Sequence, residues 1–362
     1  MSSNIGKYIK MQIFGESHGP AIGVVLDGLP HGEIIDTDAI AVQMKRRAPG
    51  GDATSTPRRE ADAPEILSGM LNGKTTGAPL CAIIRNTNTR SGDYAELRDT
   101  PRPSHADFPA SIRFDGCNDL SGSGHFSGRL TAPMTFAGAV CRQILERRGI
   151  TVGGHIYSVG GVYDRPFDAV NVREDQLHAL SQRSFSVISA DAEQKMRDVI
   201  EDARTHGDSV GGSVEIAVTG MPAGCGDMMF GSVESRISEA LFGVPAVKGI
   251  EFGAGFGLAT MRGSEANDRY SADGEKIVTL TNNNGGLLGG LTNGMPLIIR
   301  AALKPTPSIS AQQQTLNVRT MKSEPLTIRG RHDPCIVGRA LPAVENVICY
   351  VLCDILRGNG KL

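Results

Sequence analysis

Three short segments, far apart in the chain, constrain its fold most strongly. They are bounded by glycine or proline and comprise residues 15–19 (GESHG), 102–107 (RPSHAD) and 331–335 (RHDPC). Glycine permits positive φ and proline fixes φ, so runs of this kind form loops rather than regular structure. Each segment places a histidine, a carboxylate or a guanidinium where a polar ligand can reach it. We therefore expect a fold that gathers the three loops into one site; the alternative is three ordinary solvated turns.

Charge and composition narrow the classes of partner. The 362 residues include 37 Lys and Arg against 39 Asp and Glu, which gives a net charge of −2. This balance provides no general attraction to nucleic acid or to a membrane surface, so any anion site must arise from local clustering. A hydrophobic content of 40% and a charged content of 21% are typical of a soluble globular protein. No linker divides the chain, and we expect one domain over residues 1–362.

Targeting signals, disulfides and metal sites are not expected. The first residues contain no apolar signal region, and no stretch approaches the length of a membrane span. The seven cysteines are scattered, which predicts neither a disulfide framework nor a zinc site. The eight histidines form no HxxxH or HxH pair that could bind a metal. These features favour the reducing cytoplasm, with Cys349 and Cys353 as packing residues of an apolar helix.

Local sequence patterns predict a mixture of helices and strands. Elements of the two kinds alternate irregularly, without the strict strand–helix–strand spacing of a parallel sheet, which favours an α+β fold. The predicted helices cover 36–47 (capped by Asp36 or Thr37), 132–148, 190–205, 233–242 and 340–356. The predicted strands cover 21–27, 213–219, 276–281, 295–303 and 326–328.

Basic residues cluster beside the predicted loops. Residues 46–60 (RRAPGGDATSTPRRE) have no apolar period and carry an arginine pair at each end, which predicts a long mobile loop. Guanidinium groups bind carboxylates and phosphates through pairs of hydrogen bonds. We infer a concave site for a polyanion; the alternative is a set of surface arginines paired with nearby acids. The residues concerned are Arg46, Arg47, Arg58, Arg59, Arg102, Arg129, Lys304, Arg329 and Arg331.

Residues 122–128 (GSGHFSG) precede a predicted helix and so resemble a dinucleotide-binding loop. That fingerprint requires a hydrophobic strand immediately before it, and the preceding residues, FDGCNDLS, do not form one. A helix that starts behind a Gly/Ser loop could still bind a phosphate through its free N–H groups. His31, His155, His178 and His206 stand alone and are expected to be structural or solvated.

The loops resemble those of the chorismate synthase family in order and spacing. The matching segments span nearly the whole chain, and the combination of GESHG with GRHDPC is highly specific. The segments are GESHGPAIGVVLDGLPHG (15–32), RRAPGG with PRRE (46–60), RPSHAD (102–107), SGRLTA (127–132), PAVKGIEFGAGF (245–256), NGGLLGGLTNG (284–294), ALKPTPSI (302–309) and GRHDPCIVGRALPAVE (330–345).

The resemblance implies a lyase of the shikimate pathway that converts 5-enolpyruvylshikimate-3-phosphate to chorismate and inorganic phosphate. This reaction is a 1,4-anti elimination that depends on reduced FMN without net redox change. A dry, cationic site must hold the substrate against the flavin, so positioning and electrostatics supply most of the catalysis. The family fold is a β-α-β sandwich, a helical layer between two antiparallel sheets with an internal pseudo-twofold. Its members assemble as homotetramers.

The same resemblance implies the roles of individual residues. His18 looks like the acid that serves the departing phosphate, and His105 like the imidazole that protonates the reduced flavin. Asp333 looks like the carboxylate that, through flavin N5, helps to remove the C6 proton. The residues implied for substrate binding are Arg46, Arg47 and Arg129. The residues implied for flavin binding are Ser127, Ala246, Gly289, Lys304, Pro305, Thr306, Pro307, Ser308 and Arg331, the last of which also matches an arginine of the anion site.

Four positions depart from the common family pattern. His125 and Phe126 replace an Arg and a Ser that usually serve the flavin, Ser104 replaces a Gly, and Ala53 stands where many members carry an Arg. These departures bear on FMN affinity and phosphate contacts more than on the reaction. A flavin- or nucleotide-binding paralogue without activity would lack a proton-transfer residue, and none is lacking. An NADP-linked reductase would need the dinucleotide fingerprint. The sequence leaves open whether NADPH reduces the flavin.

Overall fold

Two five-stranded antiparallel sheets face each other in this computed structural model, which describes residues 3–50, 62–87, 97–328, 330 and 332–362. The first sheet has the order β1-β2-β3-β7-β4, formed by Asn4–Ile5, Lys10–Gly15, Ala21–Asp27, Leu80–Arg85 and Pro64–Ser68. The second has the order β11-β16-β10-β8-β9, formed by Val247–Phe252, Leu297–Leu303, Gly212–Thr219, Thr151–Val159 and Val162–Tyr163. Two-stranded ribbons pair β5 (Met70–Leu71) with β6 (Lys74–Thr75), β12 (Tyr270–Asp273) with β13 (Lys276–Thr279), β14 (Leu287–Leu288) with β15 (Leu291–Thr292), and β17 (Gln313–Asn317) with β18 (Lys322–Leu326).

Helices lie between the sheets and around them. The helices are α1 (Thr37–Arg47), α2 (Asp107–Arg113), α3 (Thr131–Glu146), α4 (Glu174–Ser181), α5 (Ala190–Thr205), α6 (Val233–Phe242), α7 (Gly263–Ala266) and α8 (Val337–Gly358). Helix α3 packs on β2, β3 and β7 of the first sheet, and α8 packs on β8 and β10 of the second. One central helix thus packs on each sheet. The expected α+β sandwich is confirmed.

The two central helices touch through their backbones. A Cβ placed on Gly138 of α3 would lie 1.9 Å from the carbonyl oxygen of Asn346 on α8, so this crossing requires glycine. The facing surfaces are apolar and fully buried, for example at Phe136, Ile144 and Val347. Cys349 and Cys353 lie buried in the same helix, as predicted. Among the described helices, none is long and apolar enough to cross a membrane.

Helix α1 delivers an arginine to the edge of this helical layer. Its N-cap is Asp36, whose side chain accepts a hydrogen bond from the Asp38 N–H at 2.8 Å, as the sequence predicted. Lys45, Arg46 and Arg47 occupy the last turn, where cations interact favourably with the helix dipole. The Arg47 side chain is buried, so the helix ends with a guanidinium group inside the fold.

Most predicted helices lie where the sequence placed them. Helices α5 and α6 match their predicted bounds, while α3 ends two residues early and α8 starts three residues early. The strand predicted over 326–328 is wrong, because the strand is Lys322–Leu326 and only Leu326 is shared. Strands β2, β7, β8 and β11 were not predicted.

Candidate active site

A cavity of about 890 Å³ opens at one end of the helical layer. Six stretches of chain line it, around residues 47–49, 104–106, 123–131, 242–248, 304–308 and 333–340. Two of the three loops that were expected to converge, those of His105 and Asp333, therefore border one space. The lining mixes arginines and lysines with serine, threonine and apolar side chains, so it suits an anionic ligand with an apolar ring or rings.

His105 is held by a buried ion pair. The guanidinium of Arg102 donates from Nε and Nη2 to the two oxygens of Asp107, both at 2.7 Å. The Nδ1 atom of His105 lies 2.7 Å from Asp107 Oδ1, and its Nε2 atom lies 2.8 Å from Ser123 Oγ. Burial opposes ionisation, but hydrogen bonds from Arg102 and His105 outweigh it and hold the pKa of Asp107 well below its usual range. Asp107 is therefore a carboxylate at neutral pH and orients the imidazole.

His18 lies directly behind the cavity wall. A Cβ on Gly122 would be 2.6 Å from His18 Nε2, so the close approach of the ring requires glycine there. The N–H of Ser17 donates to the Gly124 carbonyl at 3.1 Å, which ties the GESHG loop to residues 122–124. Within the described residues, His18 is half-buried and is not itself in the cavity lining. The GESHG loop thus packs behind the residues that line the cavity.

A buried carboxylate joins two of the predicted substrate arginines. Asp62 accepts a hydrogen bond from Nη1 of Arg47 and another from Nη1 of Arg129. Arg47 also donates from Nε to Thr131 Oγ1 at 3.0 Å. Burial lowers the pKa of Arg47 to about 10, with nearby Arg339 adding to the effect and Asp62 opposing it. Arg47 therefore stays cationic at neutral pH. Because Arg47 and Arg129 share the single carboxylate of Asp62, this wall of the cavity carries a net positive charge.

Lys304 and Ala246 meet on the opposite wall. The Lys304 N–H donates to the Ala246 carbonyl at 2.9 Å, and its Nζ donates to the Ser104 carbonyl at 2.6 Å. Burial lowers the pKa of Lys304, and the neighbouring cation Lys248 adds to this shift. Ala246 has a φ of 74°, a left-handed conformation that is strained for a residue with a side chain. Strained backbone of this kind concentrates at ligand sites.

Residues 306–308 add hydroxyl groups to the same wall. The Thr306 hydroxyl oxygen is buried and has no hydrogen-bond partner among the described residues. Ser308 Oγ accepts from Arg102 Nη1 at 3.2 Å. Ser127 Oγ accepts from the Arg129 N–H at 3.2 Å and so caps the turn that leads into α3. The described residues immediately before this loop, 97–121, contain no strand, which agrees with the rejection of a dinucleotide fold.

Asp333 stands just before α8 and is paired with a cation. Its Oδ2 atom accepts from Arg339 Nη1 at 2.7 Å, and Arg339 Nε approaches the Arg47 carbonyl at 3.4 Å. Cys335 follows two residues later, but burial raises the pKa of its thiol to about 12. The thiol is therefore protonated at neutral pH and is unsuited to act as a nucleophile. Among the described residues of this loop, Asp333 is the carboxylate that lines the cavity.

Four predicted site residues are not among those that line the cavity in the described structure: His18, Arg46, Gly289 and Pro305. Arg46 donates from Nη1 to buried Glu345 at 2.5 Å and borders a separate cavity of about 360 Å³. Successive residues on a helix point about 100° apart, which separates Arg46 from Arg47. The predictions for Ala53, Arg58, Arg59, Arg329 and Arg331, and most of the predicted mobile loop, lie outside the described residues.

Sequence reasoning missed four residues that shape the site: Asp62, Asp107, Ser123 and Arg339. Asp107 and Arg339 could have been found, because each stands within a few residues of a predicted site residue in a quoted motif. Asp62 has no local signal, since its arginine partners lie 15 and 67 residues away. Across the described residues, no group of three or more His, Cys, Asp or Glu side chains could hold a metal ion.

Comparisons with known proteins identify the family. The family model described as chorismate synthase matches residues 9–356. Similar curated relatives include the chorismate synthase of Dehalococcoides mccartyi, 44% identical with 99% of this chain and 98% of the relative covered. That of Thermococcus kodakarensis is 45% identical, with 97% and 96% covered. A solved chorismate synthase structure superposes with a TM-score of 0.75 at 25% identity and covers 98% of this chain and 93% of that one. The chain therefore belongs to the chorismate synthase family, lyases of the shikimate pathway.

Proposed function

We propose that the 890 Å³ cavity binds 5-enolpyruvylshikimate-3-phosphate and eliminates its phosphate to give chorismate, with reduced FMN bound beside the substrate. The observation that carries this proposal is the meeting of three groups in one cavity. These are the imidazole of His105 oriented by Asp107, the carboxylate of Asp333, and the net-positive pair Arg47 and Arg129. The substrate bears two carboxylates and a phosphate, which match the cationic wall.

The residues at 304–308 fit a flavin. The buried hydroxyl of Thr306 has a free hydrogen-bonding capacity among the described residues, which a polar ligand atom would use. Lys304 and Lys248 add positive charge beside it, as a phosphate group requires. The cavity lies near the top of the range of roughly 300–1,000 Å³ for small-molecule sites, so it has room for a cofactor with a substrate. Reduced FMN would supply the electron density that assists departure of the phosphate.

The protein's own residues then have distinct tasks. Arg47 and Arg129 bind the anionic groups and offset the charge that grows on the phosphate as its C–O bond breaks. His18, which lies behind the cavity wall beside Gly122, would serve the departing phosphate as its acid. His105 exchanges a proton at the cavity wall, with its imidazole oriented by Asp107. Asp333, held by Arg339, is the final acceptor of the C6 proton. The family's homotetrameric assembly, single domain and cytoplasmic location are further parts of this proposal.

An anaerobic assay of chorismate formation tests the proposal. We expect turnover with chemically reduced FMN and none with oxidised FMN alone, while an arm with NADPH and FMN decides whether the enzyme reduces its own flavin. His105→Ala should lose roughly 10²–10⁴-fold in rate, the usual contribution of a positioned acid or base. His206→Ala is the matched control, because His206 is exposed at the end of α5. Equal activity in flavin-free, oxidising buffer would sink the proposal.

A further inference from the structure

Ser123 occupies a backbone position that disfavours serine. Its φ is 75°, in the left-handed region, and it stands between two glycines that also have positive φ. A side chain in this conformation is strained, whereas glycine is not. Ser123 lies on the wall of the candidate active site. The strain indicates that the hydroxyl has a task there.

The hydroxyl of Ser123 bridges two members of the histidine network. Its Oγ atom lies 2.8 Å from His105 Nε2, and Arg102 Nη2 donates to the same oxygen at 3.3 Å. His105 therefore has a partner at each ring nitrogen, with Asp107 at Nδ1 and Ser123 at Nε2. Both contacts form within the protein and need no ligand.

A count of hydrogens fixes the direction of these bonds. Arg102 Nη2 carries two hydrogens, which Asp107 Oδ1 and Ser123 Oγ accept. Ionised Asp107 has no hydrogen to give, so His105 Nδ1 must donate to it. The Nε2 atom of the neutral ring is then an acceptor, and the hydrogen it receives comes from the Ser123 hydroxyl. Arg102 Nη2 also lies 3.1 Å from His105 Nδ1, but in this arrangement both of its hydrogens are donated to other atoms, so this approach is not a hydrogen bond.

We propose that Ser123 is a positioning residue that fixes His105 as the Nδ1–H tautomer and keeps Nε2 as its proton-exchanging nitrogen. When Nε2 takes up a proton, it becomes a donor to Ser123 Oγ, and the serine hydrogen turns away from the ring. One proton is gained at Nε2 and the hydroxyl keeps its own. The catalytic consequence rests on the proposed function of His105, while the tautomer follows from the contacts alone.

Imidazole nitrogen spectroscopy on the protein without flavin or substrate tests the tautomer. With ¹⁵N-labelled histidine, wild-type His105 should show a protonated Nδ1 and an unprotonated Nε2 above its titration range. Ser123→Gly and Ser123→Ala should both lose this pure signature and show exchange between the two tautomers. Ser123→Gly should melt no lower than wild type, because glycine accepts the backbone conformation without strain. Retention of the wild-type signature in both variants would overturn the proposal.

Turnover and a matched strain control complete the experiment. With reduced FMN, both Ser123 variants should lose about tenfold or more in kcat, with KM changed less than about twofold. Asp115→Gly relieves a similar positive φ of 50° at an exposed position and should leave the His105 signature and kcat unchanged. Unchanged kcat in the Ser123 variants would overturn the positioning role. Absence of chorismate from the wild type would instead refute the proposed function, and the spectra would still decide the tautomer.

Discussion

At the scale of single residues, the cationic wall of the cavity depends on one buried carboxylate. Asp62 is 3% exposed and accepts hydrogen bonds from both Arg47 and Arg129. Burial alone would raise the pKa of Asp62, but the two arginines outweigh burial and lower it. The Asp62 carboxylate holds the guanidinium groups of Arg47 and Arg129 together and offsets part of their mutual repulsion. It acts as a resident counterion of the site.

Asp62→Asn should therefore destabilise the protein and make it responsive to anions. Removing one partner of a buried ion pair costs about 3–5 kcal/mol, because the remaining charge stays buried. Inorganic phosphate in the cavity would replace the missing negative charge and stabilise the variant more than the wild type. Thermal unfolding with and without phosphate measures the difference. Glu65→Gln, which removes an exposed partner of Arg85, is the control and should change little. Equal phosphate effects on Asp62→Asn and wild type would contradict the prediction.

Sequence motifs located several lining residues but not the groups that orient them. His105, Asp333, Arg47 and Arg129 were predicted, because each stands in a distinctive Gly/Pro segment or beside one, and all of them line the cavity. The counterion could not be predicted, because hydrogen bonds across long sequence separations leave no local pattern. Chain position also cannot show which of two neighbouring arginines points inward. Helix geometry decides that.

At the scale of elements, strand β8 carries an ionic cluster on a face that is fully covered. His155 lies 3.1 Å from Asp164 and 3.0 Å from Glu215, and all three side chains are inaccessible to solvent. Arg300 also contacts Glu215 at 2.9 Å and continues to Glu251 at 3.1 Å. Residues beyond β9 and helix α4 cover this face with a small second core around Phe167, Leu177 and Leu180. His155, which was expected to be structural or solvated, is therefore structural.

The cluster makes stability depend on pH in a definite direction. Burial lowers the pKa of His155, but Asp164 and Glu215 outweigh it and raise the pKa above its usual value. Burial raises the pKa values of Asp164 and Glu215, but hydrogen bonds, chiefly from His155, lower them below their usual values. The histidine's contribution is full below about pH 6.5 and is lost as pH rises through its folded pKa. The carboxylates' contribution is present above about pH 4 and is lost on acidification.

His155→Ala should destabilise the protein by about 3 kcal/mol or more, since it leaves two buried carboxylates without their shared partner. The stability gap between variant and wild type should be widest between about pH 4.5 and 6.5 and should narrow as the pH rises further. Urea unfolding across pH 5–9 provides the measurement. His206→Ala, on the exposed end of α5, should stay within about 0.5 kcal/mol of wild type. A gap that does not vary with pH would show that His155 contributes by packing alone.

Burial on both faces explains why some elements escaped prediction. Helices α5 and α6 have one buried and one exposed face, and their period is plain in the sequence. Strand β8 is buried on both faces and includes two adjacent glycines, so it shows no alternation. The 326–328 segment was misplaced because β18 is exposed at several positions, which leaves its apolar end as the most strand-like stretch.

At the scale of the whole molecule, the distance between α3 and α8 sets the thickness of the helical layer. Gly138→Ala would bring a methyl group within 1.9 Å of the Asn346 carbonyl unless the helices separate. Since each helix packs on a different sheet, we expect a loss of about 1–3 kcal/mol or more in unfolding free energy. Gly263→Ala in α7 is the control, because its Cβ would meet no atom within 4 Å. Chemical denaturation of both variants measures the effect, and equal stability would refute the close contact.

The sandwich itself could not have been reached from local patterns. Strands that neighbour each other in the second sheet, such as β10 and β16, are far apart in the chain, so their pairing leaves no spacing rule. The resemblance to a known family supplied that topology, and the fold confirms it. What the sequence alone indicated was the mixed class and the convergence of distant loops.

The residues of the cavity wall are spread along most of the chain, which has a consequence for folding during synthesis. They run from Arg47 at the end of α1 to Ala340 in the first turn of α8. During synthesis, the first sheet and α3 leave the ribosome long before α8, the helix that covers the other side of α3. Until then the side of α3 that α8 covers is exposed, and exposed apolar surfaces of this kind bind chaperones or aggregate. Docking of α8 completes the hydrophobic core and the active site together, so activity in a nascent chain reports completion of the whole fold.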